Sequence, residues 1–207
     1  MMYFVNPTKG SLPHMVAGTL GFIATPRQGQ YPAPGMAWCL DNNCFGNEEF
    51  NETKWWRWIQ SPRLDRSMCK FATAPDVVGD AKATIARSAP WLPRIRELGY
   101  LAAFVTQDGS ERHPPPWGDF DVLFIGGTND FKLGPVAARL IREAKARDMW
   151  VHCGRVNSLK RLTAMDALGC DSADGTVLAF GPERRLPEVL HWVRTLDTQQ
   201  PLFEGLT

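Results

Sequence analysis

The sequence predicts an α/β fold, a compact (β/α)8 barrel of the TIM type in a single domain spanning residues 1–207. Short apolar runs alternate with helical stretches of ten or more residues, which is typical of βα units and a parallel sheet. Polar or glycine-rich residues follow nearly every predicted strand from the third onward, as in barrels whose active site is built from the βα loops. Such barrels usually have about 250 residues, so we expect the first units to be abbreviated.

The eight predicted strands are apolar runs that end at turn-forming or polar residues. They cover residues 3–5, 20–24, 36–40, 69–74, 101–105, 122–125, 149–152 and 170–173. No Gly-x-Gly-x-x-Gly motif follows any of them, which argues against a dinucleotide-binding sheet.

The predicted helices lie between and after these strands, at residues 48–59, 80–87, 91–98, 135–147, 158–168 and 186–196. Asp80 and either Asn157 or Ser158 are suited to cap a helix, and Pro135 is favourable as a first helical residue. A glycine at position 169 stands where a helix ends, so we expect the chain to turn there into the last strand.

The composition excludes some classes of partner. The chain has 23 Lys+Arg against 22 Asp+Glu, a formal net charge of +1, so any nucleic-acid surface must be local.

The five cysteines form no C-x-x-C pair, which predicts reduced thiols and no metal site. The N-terminus has no basic segment followed by an apolar run, and no apolar stretch approaches the length of a membrane span. We therefore expect a soluble cytoplasmic protein without a membrane partner.

The carboxyl ends of the strands of a barrel meet around one mouth. The residues predicted there are Asp41, Asp76, Gln107, Gly126, Gly127, Gly154 and Asp174. Two carboxylates in different surroundings can divide the roles of nucleophile and general acid or base. Asp and Gln side chains can hydrogen-bond a planar ring, and adjacent glycines let backbone amides approach such a ligand.

Six short motifs follow one another along these strand ends. They are Asp41-Asn42-Asn43-Cys44-Phe45, Ala74-Pro75-Asp76, Val105-Thr106-Gln107-Asp108-Gly109, Ile125-Gly126-Gly127, Cys153-Gly154 and Gly169-Cys170-Asp171-Ser172-Ala173-Asp174. This series resembles the tRNA-guanine transglycosylase family, and more closely its phage and bacterial DNA-modifying branch, the DpdA-like 7-deazapurine transglycosylases. The Cys/His zinc subdomain that the tRNA enzymes use has no equivalent spacing here, which favours DNA over tRNA.

The resemblance implies a base-exchange transglycosylase that replaces guanine in DNA with a 7-deazaguanine such as preQ0. Asp174 would attack C1′ to form a covalent aspartyl-glycosyl intermediate, and Asp41 would shuttle the proton. The same resemblance implies a base-binding set of Phe45, Asp76, Gln107, Gly126, Gly127, Cys153 and Gly154. This chemistry needs neither a metal nor an organic cofactor, and it would take place in the cytoplasm of a bacterium or of a phage-infected host cell.

Cations and aromatic residues alternate in the segment 54–70, a pattern that suits a nucleic-acid groove. The predicted DNA-binding residues are Lys54, Arg57, Arg63, Arg66 and Lys70, with Arg155 at the opposite rim. The competing interpretation of the cluster is amphipathic helix packing with a solvated face.

Three other functions are compatible with the sequence: a tRNA-guanine transglycosylase, a barrel enzyme that acts on phosphosugars, and a non-catalytic nucleic-acid-binding barrel. In the phosphosugar alternative, Gly126-Gly127 and Gly154-Arg155 form the phosphate site. His152 lies in an apolar strand, where a histidine is more often a satisfied core residue than a catalyst. Asp174 precedes a glycine, which is also a common turn sequence.

Overall fold

The computed structural model describes residues 1–44 and 50–199. Eight parallel strands form a closed barrel in which each strand pairs with the next along the chain and the eighth pairs with the first. The strands are β1 (Met2–Val5), β2 (Gly21–Ala24), β3 (Trp38–Leu40), β4 (Cys69–Thr73), β5 (Ala102–Thr106), β6 (Val122–Ile125), β7 (Trp150–Cys153) and β8 (Ser172–Gly175). Each predicted strand overlaps an observed one, and the predicted compact (β/α)8 barrel is confirmed.

Helices surround the barrel. In the described residues they are α1 (Leu12–Val16), α2 (Glu52–Ile59), α3 (Ala81–Ser88), α4 (Leu92–Glu97), α5 (Asn129–Lys132), α6 (Pro135–Lys145), α7 (Leu159–Ala167) and α8 (Pro182–Gln199), with short 3₁₀ helices at Arg66–Met68 and Val177–Ala179. Every predicted helix has an observed counterpart, although residues 48 and 49 of the first lie outside the described residues. The sequence did not predict α1 and α5, because helices of five and four residues are too short to show a helical period.

Capping residues fix where several helices begin. The side chain of Asp80 accepts a hydrogen bond from the N–H of Ala83 at the start of α3, and Ser158 accepts one from Arg161 at the start of α7. Pro135 is the first residue of α6, as predicted. The barrel is compact because residues 25–37 and 107–121 connect their strands without any α-helix, and α1 is a single short turn.

Two apolar cores result from the alternation of side chains along the strands. One fills the barrel and consists of Phe4, Ile23, Cys39, Phe71, Ala103 and Val122. The larger one lies between the barrel and the helices and includes Trp38 and Leu40. A Cβ atom at Gly21 would lie 2.9 Å from Cγ of Phe4, so the Phe4 ring occupies the space that a side chain there would need.

The amino ends of the strands are closed by polar contacts. Lys145, the last residue of α6, donates to both carboxylate oxygens of Asp171 at 2.8 and 2.9 Å. The carbonyl of Asp171 accepts the N–H of Met2, which joins the start of β8 to the start of β1. The opposite end of the barrel, where the strands finish, is left open. None of the helices in the described segments is long and apolar enough to cross a membrane.

Candidate active site at the carboxyl ends of the strands

A cavity of about 530 Å³ opens at the carboxyl ends of the strands. This volume lies in the range of small-molecule binding sites. The structure brings most of the predicted site residues together around it, namely Asp41, Asp76, Gln107, Gly126, Gly127, Gly154, Arg155 and Asp174. The arrangement follows from the closed parallel sheet, because every strand delivers its last residues to the same mouth.

Two residues of the predicted base-binding set are not part of this arrangement. Phe45 lies outside the described residues. Cys153 does not line the cavity, since its side chain is buried in the core between the barrel and the helices. Burial raises the pKa of its thiol to about 12, so Cys153 is a protonated packing residue at neutral pH.

The predicted DNA-binding cluster does not form one surface beside the mouth. Arg66 and Lys70 come after α2 and lead into the amino end of β4, which is the end of the barrel opposite to the cavity. Arg63 instead lies 3.8 Å from the ring centroid of Tyr31, which lines a surface pocket together with Lys54 and Arg57. Lys70 lies over the ring of Trp150, the first residue of β7, with the ammonium 5.9 Å from the ring centroid. The placement predicted for Arg66 and Lys70 was wrong, because the helix carries the chain from one end of the barrel to the other.

The cations of the cluster that precede this crossing are Lys54 and Arg57, which are exposed on α2. Lys54 lines a small side pocket that also includes Arg27 and Asn43 from the cavity wall. Of the predicted nucleic-acid contacts, Arg155 is the one whose side chain lines the main cavity. Binding of DNA or tRNA stays a prediction.

Asp174 is a carboxylate of the cavity that two neighbouring groups hold in place. It is 9% exposed, and its Oδ1 accepts the backbone N–H of Arg155 at 2.9 Å. Its Oδ2 lies 2.9 Å from Nε2 of His152, which is fully buried in β7. Two partners therefore hold the carboxylate in one orientation, and its remaining lone pairs are available to a molecule in the cavity.

Asp41 supplies a second carboxyl group with different properties. Its Oδ1 accepts the backbone N–H of Asn43 at 2.5 Å. Burial raises the pKa of Asp41 to about 7; the hydrogen bond from Asn43 opposes this increase, and the nearby charges of Asp174 and Asp76 add to it. A carboxyl group that is half ionised near neutral pH can either donate or accept a proton during a reaction.

The raised pKa of Asp41 makes a prediction for stability. In the folded protein Asp41 holds its proton up to about pH 7, whereas in the unfolded chain it ionises near its ordinary value of 3.8. The free energy of unfolding of the parent therefore falls as the pH rises between these two values. We expect Asp41→Asn to match the parent near pH 4 and to exceed it by about 2–4 kcal/mol at pH 8. Urea unfolding at several pH values measures this difference, and a difference that does not change with pH would contradict the raised pKa.

Asp76 and Gln107 bind each other. Nε2 of Gln107 donates to Oδ2 of Asp76 at 2.6 Å, and Nδ2 of Asn42 donates to Oδ1 at 2.8 Å. Oε1 of Gln107 in turn accepts the N–H of Gly79 at 2.9 Å. The predicted pair for reading a planar base is therefore a buried brace that ties together the loops after β3, β4 and β5.

The loop after β7 is held rigidly. Nζ of Lys132 donates to the carbonyl of Gly154 at 2.9 Å, and the hydroxyl of Tyr3 donates to the carbonyl of Val156 at 2.6 Å. Between them, Arg155 has a left-handed backbone conformation with φ of 57°. These contacts fix the direction in which the Arg155 side chain leaves the backbone.

Arg155 and Arg27 supply the cationic side chains that line the cavity in the described part of the chain. Arg155 follows β7, and its guanidinium donates to the carbonyl of Gly127 after β6. Arg27 follows β2. Because β8 and β1 lie between β7 and β2 in the barrel, the two cations flank the side of the mouth where Thr176 lies. Sequence reasoning did not select Arg27, since nothing in its neighbourhood resembles a motif.

Two glycines of the mouth, Gly126 and Gly154, do not offer free amides, contrary to what their sequence led us to expect. The N–H of Gly126 donates to the carbonyl of Thr106, and that of Gly154 donates to Ile125, so both extend the sheet. Their lack of a side chain leaves space for the neighbouring side chains of Val105 and Phe124. A Cβ atom at Gly154 would lie 2.6 Å from Cε1 of Phe124.

The cavity offers carboxyl, amide and guanidinium groups but no amine. All lysines of the chain lie in the described residues, and none of them lines the cavity. A covalent imine between a cavity lysine and a carbonyl substrate therefore has no candidate residue. In residues 1–44 and 50–199, no group of three or more His, Cys, Asp or Glu side chains is arranged to hold a metal ion.

Solved structures share this fold over nearly the whole chain. A structure of native KDPGal is 12% identical, with a TM-score of 0.56, and the match covers 95% of this chain and 94% of that one. A 3-hexulose-6-phosphate synthase is 10% identical, with a TM-score of 0.52 and coverage of 93% and 99%. A designed cube-shaped protein cage built by fusing symmetric oligomeric domains is 12% identical, with a TM-score of 0.51 and coverage of 96% and 73%. No family model matches the sequence, and no curated protein matches it.

These comparisons correct the predicted function. The structures that share this barrel along nearly the whole chain are those of KDPGal and of a 3-hexulose-6-phosphate synthase, so the predicted exchange of guanine in DNA was wrong. At 10–12% identity these structures show the fold alone. The site agrees with the correction, because the side chains expected to read a base, Asp76 and Gln107, are bonded to each other. The motif resemblance to transglycosylases stays a prediction, since no family model tests it.

Proposed function

We propose that this protein is an enzyme that transfers protons at the carbon beside the carbonyl group of a small phosphorylated ketose. The observation that carries the proposal is the pairing of two unlike carboxyl groups, Asp41 and Asp174, with two arginines in one cavity. The carboxyl groups suit acid–base chemistry, and the guanidinium groups suit a phosphate.

The phosphate is assigned to the side of the mouth between Arg155 and Arg27. In barrels of this kind, the phosphate site is frequently formed by the loops after β7 and β8 together with a short extra helix. Here Arg155 and Thr176 come from those two loops, and a short 3₁₀ helix, Val177–Ala179, follows β8. The contribution of Arg155 is its side chain, because its backbone N–H is bonded to Asp174.

The reacting end of the ketose is assigned to the space between Asp174 and Asp41. Asp174, held as an oriented carboxylate, removes a proton from the carbon next to the carbonyl, and the electrons of the C–H bond form the carbon–carbon double bond of an enediol. Asp41, in its protonated form, donates its proton to the carbonyl oxygen as negative charge develops there. Asp174 lies in β8 and Asp41 directly follows β3; these strands are not neighbours in the barrel, so the two residues approach the substrate from different sides.

The phosphate assignment predicts a selective loss of affinity. We expect a hexulose 6-phosphate to bind more tightly than the unphosphorylated hexulose, and Arg155→Gln to weaken only the phosphorylated ligand, by roughly tenfold to a hundredfold. Isothermal titration calorimetry with both sugars measures this effect. Arg112→Gln is the matched control, because Arg112 is an exposed loop residue paired with Glu111 and does not line the cavity. Equal losses for both sugars, or equal affinities in the parent, would count against a phosphate site.

A further inference from the structure

A chain of polar groups runs through the otherwise apolar interior of the barrel and ends at Asp174. Nε1 of Trp150 donates to Oγ of Ser172 at 2.9 Å. Oγ of Ser172 lies 2.9 Å from Nδ1 of His152, and Nε2 of His152 lies 2.9 Å from Oδ2 of Asp174. Ser172 and His152 are fully buried, so these groups depend on one another for hydrogen bonds.

The chemistry of the groups fixes the direction of each hydrogen bond. An indole N–H can only donate, so the oxygen of Ser172 is its acceptor. Among the described residues, Nδ1 of His152 is the one acceptor within reach of the Ser172 hydroxyl, which we therefore infer donates its proton there. A neutral imidazole that accepts at Nδ1 carries its proton on Nε2, where it faces the carboxylate of Asp174.

The surroundings of the imidazole keep this arrangement dry. The rings of Phe124, Phe71 and Phe4 lie with their centroids 4.5, 4.9 and 5.9 Å from that of His152. A hydrogen bond to an ionised group is stronger in such an apolar environment than in water. The N–H of His152 is therefore well placed to favour the ionised form of Asp174.

We propose that His152 is a positioning residue that holds Asp174 ionised and oriented toward the cavity by donating its Nε2–H, with its tautomer set by Ser172 and Trp150. The hydrogen-bond geometry around His152 does not depend on the proposed function, whereas its consequence for catalysis rests on that function. Other titratable or charged groups also act on Asp174 from the surrounding elements, namely Tyr3, Cys39, Asp41, Lys132, Cys153 and Arg155. They are unchanged in every variant below, so differences between the variants report on residue 152.

The first test reads the tautomer without any substrate. In ¹⁵N-labelled parent protein, long-range ¹H–¹⁵N spectra are expected to show a protonated Nε2 and an unprotonated Nδ1 for His152 at neutral pH. The signal is assigned by its absence from His152→Gln. A proton on Nδ1 with an unprotonated Nε2 would overturn the proposal.

The second test compares two amides at position 152. The amide nitrogen of glutamine is the same number of bonds from the backbone as Nε2 of histidine, so His152→Gln can still donate to Asp174. The amide nitrogen of asparagine corresponds to Nδ1, so His152→Asn leaves the carboxylate without this donor. We expect the ¹³C-carboxyl titration of Asp174 to move upward by about 1–2 pH units in His152→Asn. In His152→Gln we expect it to stay within about 0.5 unit of the parent.

The two tests separate the proposal from the proposed function. If the folded asparagine variant titrates like the parent, His152 is only a core residue and the proposal is wrong. If His152→Asn does not fold, the tautomer in the parent and the titration of Asp174 in His152→Gln still decide whether the proposal is right. The same shift should appear in the acidic limb of the pH dependence of turnover on a ketose phosphate, with KM nearly unchanged. Absence of turnover in the parent would overturn the proposed function, while both NMR measurements would still judge the role of His152.

Discussion

Replacing Asp174 with asparagine is expected to slow proton exchange on a ketose phosphate by about 10²–10⁴-fold, because the cavity loses its anchored base. The asparagine amide can still accept the N–H of Arg155, but its NH₂ group cannot accept a proton from carbon. It also presents a donor to the N–H of His152, so a modest loss of stability should accompany the loss of rate. The measurement is deuterium incorporation from D₂O, followed by NMR.

Asp171→Asn is the matched control for this variant. It makes the same change three positions earlier, at the opposite end of the barrel, where Asp171 pairs with Lys145. We expect this control to keep the parent rate even though it loses an ion pair. Equal rates for the parent and Asp174→Asn would show that the base is another residue.

Replacing Phe71 with alanine is expected to lower the free energy of unfolding by about 3–5 kcal/mol. Phe71 is 1% exposed in the centre of the barrel, where its ring contacts those of Phe4 and Phe124 as well as the imidazole of His152. Removing the ring leaves a hole that a closed barrel cannot collapse to fill. Such a loss is a large share of the total stability of an ordinary domain, and urea unfolding at neutral pH measures it.

Phe180→Ala is the control, because it removes the same ring from the surface. Phe180 is 75% exposed after the 3₁₀ helix that follows β8, so its truncation should change the free energy of unfolding by no more than about 0.5 kcal/mol. Similar small effects for both variants would mean that Phe71 does not fill the barrel interior.

The sequence predicted the barrel and the position of its candidate active site because both follow from local patterns. Each apolar run ends at a polar or glycine residue, and a closed parallel barrel brings all such ends to one mouth. Asp41 and Asp174 were found in this way, although they are far apart in the chain. The prediction needed only the strand ends and the number of strands.

The chemical roles were harder to predict, because they depend on contacts between side chains of neighbouring elements. Asp76 and Gln107 were expected to bind a ligand, and only their 2.6 Å separation shows that they bind each other. His152 was interpreted as a core residue because the sequence does not state the register that pairs it with Ser172. Alternation along β7 and β8 was the available signal, since it places His152 and Asp174 on the inner faces of adjacent strands.

The segment 54–70 illustrates a different limit. Its cations are close in sequence, and we therefore placed them on one surface. A barrel helix runs from the mouth to the opposite end, so Lys54 and Lys70 are separated by the height of the fold. Proximity in the chain predicts a common surface within one loop, and it does not do so across a helix.

The most direct test of the proposed function is solvent exchange catalysed by the unmodified protein. A hexulose 6-phosphate is incubated with the protein in D₂O near pH 7, and the hydrogens on the carbon beside the carbonyl group are followed by ¹H NMR. We predict that deuterium replaces hydrogen at that carbon faster than in buffer alone, and that the unphosphorylated sugar exchanges much more slowly. If neither this sugar nor any other small ketose phosphate gains deuterium above the buffer rate, the assignment of acid–base catalysis on phosphosugars is wrong.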